Sequence, residues 1–393
     1  MDITTAPPRS ELLQRATQLV PLLRGNAEAG EQLRRLPDET VEALTEAGIL
    51  RLRLPARYGG YEADARTLVD VISELATGDG STAWTVAVWA ISSWVIGLFP
   101  DEVQDEIFAT PDVRVSGILS PTAMAVPTDG GVVVNGKWAF NTGSQQSQWN
   151  TNAAILAGPD GPPQPVMVAI PMSDLHSVDD WHTMGMRASG SVTTIAEDVF
   201  VPQARVLPMG PVLQGARGTN GNADLPMYQV PFMPVACATV AAVVAGLARA
   251  ARDAFFDRLP GRKITYTSYE NQSEAPLTHL QVAEATTKTD EAVFHARRIA
   301  EQLDVKGAAG AEWTLEERAR ARLDLGAACQ RAKEAVDVLA TASGGSSIFH
   351  SVPIQRIERD VKVLNLHAIM HPNTNLELYG RILCGLEPNT VYI

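Results

Sequence analysis

The chain has 393 residues, 45% of them hydrophobic and 20% charged, which is enough apolar material for two or three packed domains. Its formal net charge of −13 at pH 7 would repel a phosphate backbone and excludes nucleic acid as an expected partner. Cys237, Cys329 and Cys384 are far apart and odd in number, which argues against a disulfide framework or zinc site and indicates a reducing, cytoplasmic compartment.

The first segment, 1–111, shows the apolar spacing of three and four residues that is typical of helices. Pro37-Asp38-Glu39 predicts the start of one helix, and Gly78-Asp79-Gly80-Ser81 is expected to end a second helix and cap a third, very apolar one. Because Met1–Ser10 is polar, no signal peptide is expected. We therefore predict an N-terminal helical domain.

The pattern changes after Pro111. Short segments rich in β-branched residues, such as Gly131–Asn135 and Val166–Ile170, alternate with Asp-Gly, Asn-Gly and Gly-Pro turns. They predict a compact central β domain over 112–210. Residues 211–227 are rich in glycine and asparagine, and we expect them to form a mobile loop.

Helical periodicity returns in 231–257, 276–304 and 312–343, which predicts a helical bundle within 211–393. Pro231–Ala248 has no charged residue, but charged residues follow within a turn, so a buried bundle helix is favoured over a membrane span. The order of helices, strands and helices predicts an α+β fold. Ligand sites commonly form in a crevice between such domains.

Three segments carry candidate site residues. Trp138, Asn141 and Thr142 in 136–143, with Ser189 and Ser191 in 181–191, supply the aromatic wall and polar edge that a flat heteroaromatic cofactor requires. By composition alone, a sheet-packing tryptophan among turn formers is the better explanation. The Gly344-Gly345 pair lets the backbone approach a pyrophosphate or simply ends a helix, and Arg359-Asp360 follows fifteen residues later.

Together these segments resemble the acyl-CoA dehydrogenase superfamily over nearly the whole chain, and most closely its two-component flavin-dependent monooxygenases. The resemblance implies an N-terminal helical domain, a central β-barrel or sandwich and a C-terminal four-helix bundle. It implies that 136–143 and 181–191 meet the flavin ring. It also implies that Gly344, Gly345 and Arg262 meet the phosphates of a neighbouring subunit's cofactor, although Arg262 could equally be a solvated surface residue.

The catalytic glutamate of the family is absent. In most of its dehydrogenases a glutamate follows the aspartate of the Arg-Asp pair by eight residues, and here that position is Ala368. Leu119–Met124 replaces the family's acidic, glycine-rich segment and leaves Ser120 as the candidate flavin contact there. Alanine has no proton acceptor, so the usual dehydrogenation route is closed unless the base lies elsewhere, as in some family members.

His367 and His371 flank the vacant position. The resemblance implies a histidine close to the flavin, where it assists a C4a-(hydro)peroxyflavin or deprotonates a phenol or indole substrate. His371 is the first catalytic candidate and His367 the second. A structural pair is an alternative, and so is a metal pair, but Pro372 directly follows and no nearby carboxylate or cysteine completes a ligand set, so we expect no metal.

Ser81-Thr82-Ala83-Trp84 also resembles the monooxygenase branch. Trp84 is predicted to wall the substrate cavity, and Trp89 and Trp94 are further candidates. Aromatic residues at helical spacing are as often plain core, and that alternative stays open here.

The sequence therefore predicts an oxygenase that receives reduced FAD, or alternatively FMN, from a separate reductase and uses O2 to hydroxylate a small phenol-, polyketide- or indole-type molecule. No Gly-x-Gly-x-x-Gly motif for NAD(P)H occurs. We expect a cytoplasmic homotetramer that acts in secondary metabolism such as antibiotic biosynthesis, with no membrane partner. The alternatives are an acyl-CoA dehydrogenase or oxidase with a relocated base, an amino-sugar N-oxygenase and a non-catalytic assembly partner.

Overall fold

The computed structural model describes residues 6–158, 162–215 and 220–393. Helices come first along the chain, followed by a β-sheet and a second set of helices. This order confirms the predicted α+β fold. The first strand begins at Val115 and the last strand ends at Pro208.

The N-terminal helices pack around one very apolar helix. They are α1 (Arg9–Leu33), α2 (Asp38–Glu46), α3 (Ala65–Gly78), α4 (Gly80–Ile96) and α5 (Asp101–Ile107). The break between α3 and α4 is confirmed, because the Asp79 carboxylate caps α4 by accepting the Thr82 amide at 2.8 Å. Helix α4 is apolar almost all round because it lies between α3, the sheet and the C-terminal helices.

The central domain is a single mixed sheet. Within the described ranges its strands are β1 (Val115–Thr128), β2 (Gly131–Trp138), β3 (Trp149–Leu156), β4 (Gln164–Pro171), β5 (His176–Val178), β6 (Thr193–Pro202) and β7 (Val206–Pro208). Their order is β5-β6-β2-β1-β3-β4-β7, in which β1 and β3 pair in parallel and the other neighbours pair antiparallel. The β1–β3 pairing is irregular between Ile118 and Ala123, and Ser120 lies in this irregular part.

The C-terminal helices form a bundle on three long members. The helices are α6 (Met209–Leu213), α7 (Phe232–Arg258), α8 (Pro276–Ala309), α9 (Leu315–Ala342), α10 (Pro353–Leu364) and α11 (Pro372–Leu383). Helices α7, α8 and α9 pack on one another, and α10 and α11 pack on α9. The three long helices confirm the predicted segments.

Helix α7 is the one helix in the described part of the chain that is long and apolar enough to cross a membrane, and 94% of its most apolar window is buried within the protein. It packs closely on α3 at Gly246, where an added Cβ would lie 2.3 Å from the Ser73 carbonyl oxygen. These contacts support the interpretation of α7 as a core helix of the bundle.

The segment predicted to be a mobile loop, 211–227, is partly helical and partly anchored. Helix α6 extends to Leu213, and Asn222 is buried. The Asn222 side-chain amide donates to the Gly97 carbonyl oxygen at 2.9 Å. Residues 216–219 lie outside the described residues, and mobility stays a prediction.

The loop at 179–192 joins the sheet to both sets of helices. Gly185 packs on the backbone of α10, and Arg359 on that helix donates both to the Met184 carbonyl oxygen and, at 2.8 Å, to the Glu31 carboxylate. The next residue, Asp360, accepts the Met186 amide at 2.5 Å. The position of this loop is therefore set by the C-terminal helices.

Replacing Gly185 by alanine should lower the thermal midpoint of the protein by about 2–5 °C, because the new Cβ would lie 2.5 Å from the Arg359 carbonyl oxygen. Gly25→Ala in α1 is the control, since no atom lies within 4 Å of its added Cβ and alanine favours a helix by about 1 kcal/mol. Circular dichroism melts should show opposite shifts. An unchanged midpoint for Gly185→Ala would contradict the close contact with α10.

Candidate functional site

A row of hydroxyl groups connects α4 with two loops of the sheet. The Trp84 indole donates to Thr142 Oγ1 at 3.1 Å, and Thr142 Oγ1 lies 2.8 Å from Ser191 Oγ. Ser191 Oγ lies 2.7 Å from Ser189 Oγ, which in turn donates to the Met186 carbonyl oxygen at 2.8 Å. The structure thus brings together the predicted residues Trp84, Thr142, Ser189 and Ser191. We call the three hydroxyl residues the hydroxyl row.

The direction of every hydrogen bond in the hydroxyl row is fixed by its ends. An indole N–H only donates and a carbonyl oxygen only accepts. Ser189 must therefore give its proton to Met186, which obliges Ser191 to donate to Ser189 and Thr142 to donate to Ser191. All three protons are used within the row, and each oxygen keeps one free lone pair. The row, whose three residues are buried, therefore has acceptor capacity left over and no free donor.

Asn141 adds a further acceptor beside the row. Its side-chain amide donates to Thr194 Oγ1 at 2.7 Å, while its Oδ1 is buried without a hydrogen-bond partner. The backbone amides of Asn141 and Gly143 bond to the Val192 and Ser189 carbonyl oxygens and tie the two loops together. An unpaired buried acceptor costs about 1–3 kcal/mol.

Trp138 does not line this site. It is fully buried in the core of the sheet, and its indole donates to the Ala153 carbonyl oxygen at 2.8 Å. The prediction that Trp138 contacts a flavin is therefore wrong, and the sheet-packing alternative is correct, because the pleat of β2 turns this residue inward.

The exposed aromatic residue of that segment is Phe140, which the sequence analysis missed. Phe140 is 67% exposed, has a left-handed backbone with φ of 64°, and meets Trp181 edge to face at a centroid distance of 5.9 Å. A non-glycine residue in this conformation is uncommon and points to a functional constraint. Only its unusual exposure distinguishes Phe140, and exposure cannot be read from the segment's composition.

Other predicted residues lie apart from the row. Ser120 is exposed in the irregular part of β1, and no hydrogen bond within the described residues joins it to the row. Trp89 donates to Ser147 Oγ at 3.0 Å. Trp94 donates to the Met227 carbonyl oxygen at 2.7 Å and stacks on Tyr228. Both tryptophans are buried, so the core-packing alternative holds for them, while Trp84 faces the site.

Residues 365–371, which we call the histidine turn, connect α10 to α11. The His367 ring meets the Trp84 indole nearly perpendicularly, with ring centroids 5.2 Å apart. His367 Nδ1 accepts the Ile369 amide at 3.3 Å. Part of the residue reaches solvent, but desolvation of its imidazole, together with the charge of Arg322, lowers the pKa of His367 to about 4. At neutral pH the ring is therefore neutral, with its proton on Nε2 as a hydrogen-bond donor.

His371 ends the histidine turn and caps α11. Its Nδ1 is buried and has no hydrogen-bond partner. Ala368 is exposed between the two histidines. Because 367–371 is a turn, the histidines do not share a helix face. The described residues contain no group of three His, Cys, Asp or Glu side chains that is arranged to hold a metal ion.

The buried carboxyl group of Asp360 fixes the acceptor end of the hydroxyl row. Met186 has a strained left-handed backbone with φ of 54°, and its amide is held by Asp360 at 2.5 Å. Burial, with a contribution from nearby Asp79, raises the pKa of Asp360 to about 7, and burial raises the pKa of Asp79 as well. The geometry of Met186, and with it the position of Ser189, therefore depends on Asp360.

A second cluster of predicted residues surrounds the Gly-Gly turn. Arg262 donates to the Ser343 carbonyl oxygen at 2.5 Å, and Gly344 has a positive φ of 66°, which favours glycine. Arg258, which the sequence analysis missed although it stands four residues before Arg262, donates to Ser346 Oγ at 3.2 Å. Each arginine has a buried Nη1 without a partner, and neither forms an ion pair with a described residue. Two such cations beside a glycine turn suit a phosphate ligand.

No hydrogen bond among the described residues links this arginine cluster to the hydroxyl row. The structure therefore collects the predicted residues in two separate groups within one chain. One group offers acceptors, an aromatic edge and two histidines, and the other offers unpaired cations.

Known families match most of this architecture. The acyl-CoA dehydrogenase N-terminal domain matches residues 17–111, and the C-terminal domain matches residues 238–372. The chain is 33% identical to the flavin-dependent monooxygenase oxygenase subunit HsaA of Rhodococcus jostii, over 95% of this chain and 98% of that protein. It is 29% identical to the oxygenase component of an FADH2-dependent resorcinol hydroxylase of a Rhizobium species, over 98% and 97%.

Among solved structures, the fold is similar to that of XiaF from a Streptomyces species in complex with FADH2 and glycerol. The TM-score is 0.92 at 31% sequence identity, with 97% of each chain covered. The likeness therefore extends through all three parts of the fold.

Asp360→Asn should make stability less dependent on pH. With its pKa raised from 3.8 to about 7, the folded protein holds a proton that the unfolded chain releases. The stabilisation from this proton is complete below pH 4 and is lost as the pH rises towards and through 7. Asparagine keeps an acceptor for Met186 but cannot ionise, so the thermal midpoint should fall less between pH 5.5 and pH 8.5 than in the wild type. Exposed Asp257→Asn is the control, and parallel curves for all three proteins would refute the assignment.

Proposed function

Because the chain belongs to the oxygenase components of two-component flavin-dependent monooxygenases, within the acyl-CoA dehydrogenase superfamily, we propose that it hydroxylates a small aromatic molecule. The observation that carries the proposal is the acceptor-only hydroxyl row, which is joined through Trp84 to a neutral His367. The cofactor is reduced FAD delivered by a separate reductase, and the substrate is of the phenol, polyketide or indole type.

Reduced flavin supplies the two electrons when it is bound. One atom of O2 would enter the substrate and the other would leave as water, with the bound reduced flavin as the source of the electrons. A bound reduced flavin would carry an N–H group at N5, an atom that in oxidised flavin can only accept a hydrogen bond. A row of three oxygens that accept without donating, with the unpaired Asn141 Oδ1 beside it, favours the reduced ring over the oxidised one.

The two histidines differ in the hydrogen bonds that their ring nitrogens make. His367 presents Nε2–H, and because its Nδ1 already accepts the Ile369 amide, it holds an oxygen atom by donation and does not remove a proton. His371 has a buried ring nitrogen without a hydrogen-bond partner, and we propose that this ring exchanges a proton with a substrate hydroxyl. We therefore assign His371 as the acid–base residue and His367 as the hydrogen-bond donor.

We place the FAD pyrophosphate at the arginine cluster of a neighbouring subunit in a homotetramer. Two arginines with unpaired Nη1 atoms suit the two phosphates of FAD better than the single phosphate of FMN. Ile348 and Phe349, directly after the Gly-Gly turn, are 76% and 64% exposed and need a cover such as a second copy of the chain.

A cytoplasmic location and a role in secondary metabolism, such as antibiotic biosynthesis, belong to the same proposal. The three cysteines are free thiols, which suits a reducing compartment. A diffusible reduced flavin also requires the reductase in the same compartment.

A stopped-flow experiment tests the proposed reaction. The protein is mixed with photoreduced FAD and then with air-saturated buffer containing a panel of phenols and indoles. We expect flavin reoxidation that is slower than for free FAD, together with a hydroxylated product. His371→Ala should lower product per flavin by about a hundredfold, since general acid–base groups contribute on that order. Exposed His350→Ala is the control, and reoxidation as fast as free flavin without product in the wild type would refute the proposal.

Equilibrium dialysis of reduced flavins under anaerobic conditions tests the arginine cluster. Arg262→Ala and Arg258→Ala should each raise the dissociation constant for FAD by roughly ten- to a hundredfold, which corresponds to the loss of a charge-assisted hydrogen bond. The constant for FMN should change less. The neighbouring Lys263→Ala is exposed and serves as the control. Light scattering should report a tetramer for every variant, and unchanged FAD binding would place the pyrophosphate elsewhere.

A further inference from the structure

Arg322 on α9 is a buried cation with neutral partners. It is 5% exposed and forms no ion pair with any described residue. Its Nε donates to Asn375 Oδ1 at 2.7 Å, and its Nη1 donates to the Tyr392 carbonyl oxygen. Burying a charge without a counter-ion is costly, and such groups persist where they serve a further purpose.

The guanidinium of Arg322 holds the histidine turn through one intermediate residue. Asn375 on α11 is fully buried, and its side-chain amide donates to the Ile369 carbonyl oxygen at 2.8 Å. Ile369 lies two residues from both His367 and His371. Helices α9 and α11 touch here without spare room, since a Cβ on Gly326 would lie 2.8 Å from Asn375 Cβ. The chain of contacts from Arg322 to the turn is therefore rigid.

Arg322 also anchors the last residues of the chain to the sheet. The carbonyl of Tyr392 accepts from the guanidinium, and the Tyr392 hydroxyl donates to the Leu119 carbonyl oxygen in β1 at 3.3 Å. One side chain thus connects α9, α11, the histidine turn and the segment that reaches β1.

No ionised group among the described residues neutralises the positive charge of Arg322. Trp84 packs on the His367 ring from α4, and Arg322 on α9 is the charged group that perturbs it within the described residues. The titratable group that acts on Arg322 is Cys237 on α7, and burial raises the pKa of that thiol to about 12, so it stays neutral. The Arg322 guanidinium therefore keeps its full positive charge, and that charge disfavours protonation of His367.

We propose that Arg322 is a positioning residue of the oxygenase. Through Asn375 it fixes the histidine turn, and it keeps an unneutralised positive charge beside His367. The consequence is that His367 is held in a fixed place and becomes harder to protonate, and that an oxyanion of the substrate gains a favourable potential. The second consequence rests on the proposed function, whereas the effect on His367 does not.

Three variants separate position from charge. Arg322→Lys keeps the charge but cannot span Asn375 and Tyr392 with one ammonium group. Arg322→Gln removes the charge. Asn375→Ala keeps the charge and removes the link to Ile369. Arg320→Gln, two residues away on α9 and paired with Asp324 at 3.6 Å, is the matched control.

The first measurement is an NMR titration of the His367 imidazole in protein without flavin, assigned with His367→Asn. Arg322→Gln should raise the proton affinity of His367 at least about threefold, which is half a pKa unit or more. Arg322→Lys, Asn375→Ala and the control should leave it within twofold of the wild type. An unchanged proton affinity in Arg322→Gln would overturn the electrostatic part of the proposal.

The second measurement is the amount of hydroxylated product per reduced FAD consumed. Arg322→Lys and Asn375→Ala should both lower it by about tenfold, as the loss of supporting hydrogen bonds around a site commonly does, although both keep the charge. If Arg322→Lys and Asn375→Ala both formed as much hydroxylated product per reduced FAD as the wild type, the positioning part of the proposal would be overturned. If the wild type hydroxylated no aromatic compound, the proposed function would fail while the titration still decided the role of the charge. If Arg322→Gln did not fold, the lysine and Asn375 variants would decide the positioning role.

Discussion

The hydrogen bond between the Met186 amide and Asp360 is the contact on which the site depends. It holds a strained backbone on the sheet against a helix of the C-terminal bundle, and Asp79 at the start of α4 lies beside it. Met186 in turn provides the carbonyl that receives the proton of Ser189. The three parts of the fold therefore meet at one backbone amide. A shift there would move Ser189 and reverse or break the directed row that ends on Met186.

From that point the chemistry of the site follows from counting donors and acceptors. All hydroxyl protons of the row are donated within it or to Met186, and the acceptor nitrogen of His367 is already bonded to the Ile369 amide. The free groups are then the acceptor oxygens of the row, the Nε2–H of His367 and the unpaired nitrogen of His371. This set has donors and acceptors for a reduced ring and a hydroxylated aromatic, and the turn that carries Ala368 has no carboxylate to remove an α-proton. The relocated-base alternative gains no support from it.

The site also shows how an acyl-CoA dehydrogenase-like fold can carry residues that suit a monooxygenase reaction. In the Arg-Asp pair, Arg359 bonds to Glu31 on α1 and to the Met184 carbonyl oxygen, and Asp360 holds the Met186 amide. The difference from the dehydrogenase pattern lies in the turn that follows, where two histidines flank an alanine. A buried arginine, Arg322, supports this turn through Asn375. Because the support comes through Asn375 and a carbonyl oxygen, it does not depend on a carboxylate that would cancel the charge.

The sequence by itself determined the order of helices and strands, because apolar periodicity and turn residues act over short distances. It also identified the cap at Asp79, and it named Trp84, Thr142, Ser189, Ser191 and His367, which the fold brings into one connected set. It misassigned Trp138 and overlooked Phe140, because the inward or outward direction of neighbouring residues depends on the pleat and on one left-handed residue. Only the tertiary structure decided the direction of the hydroxyl row, the neutral state of His367 and the support from Arg322. Each of these depends on donors, acceptors and charges that are distant in sequence and meet only after the chain has folded.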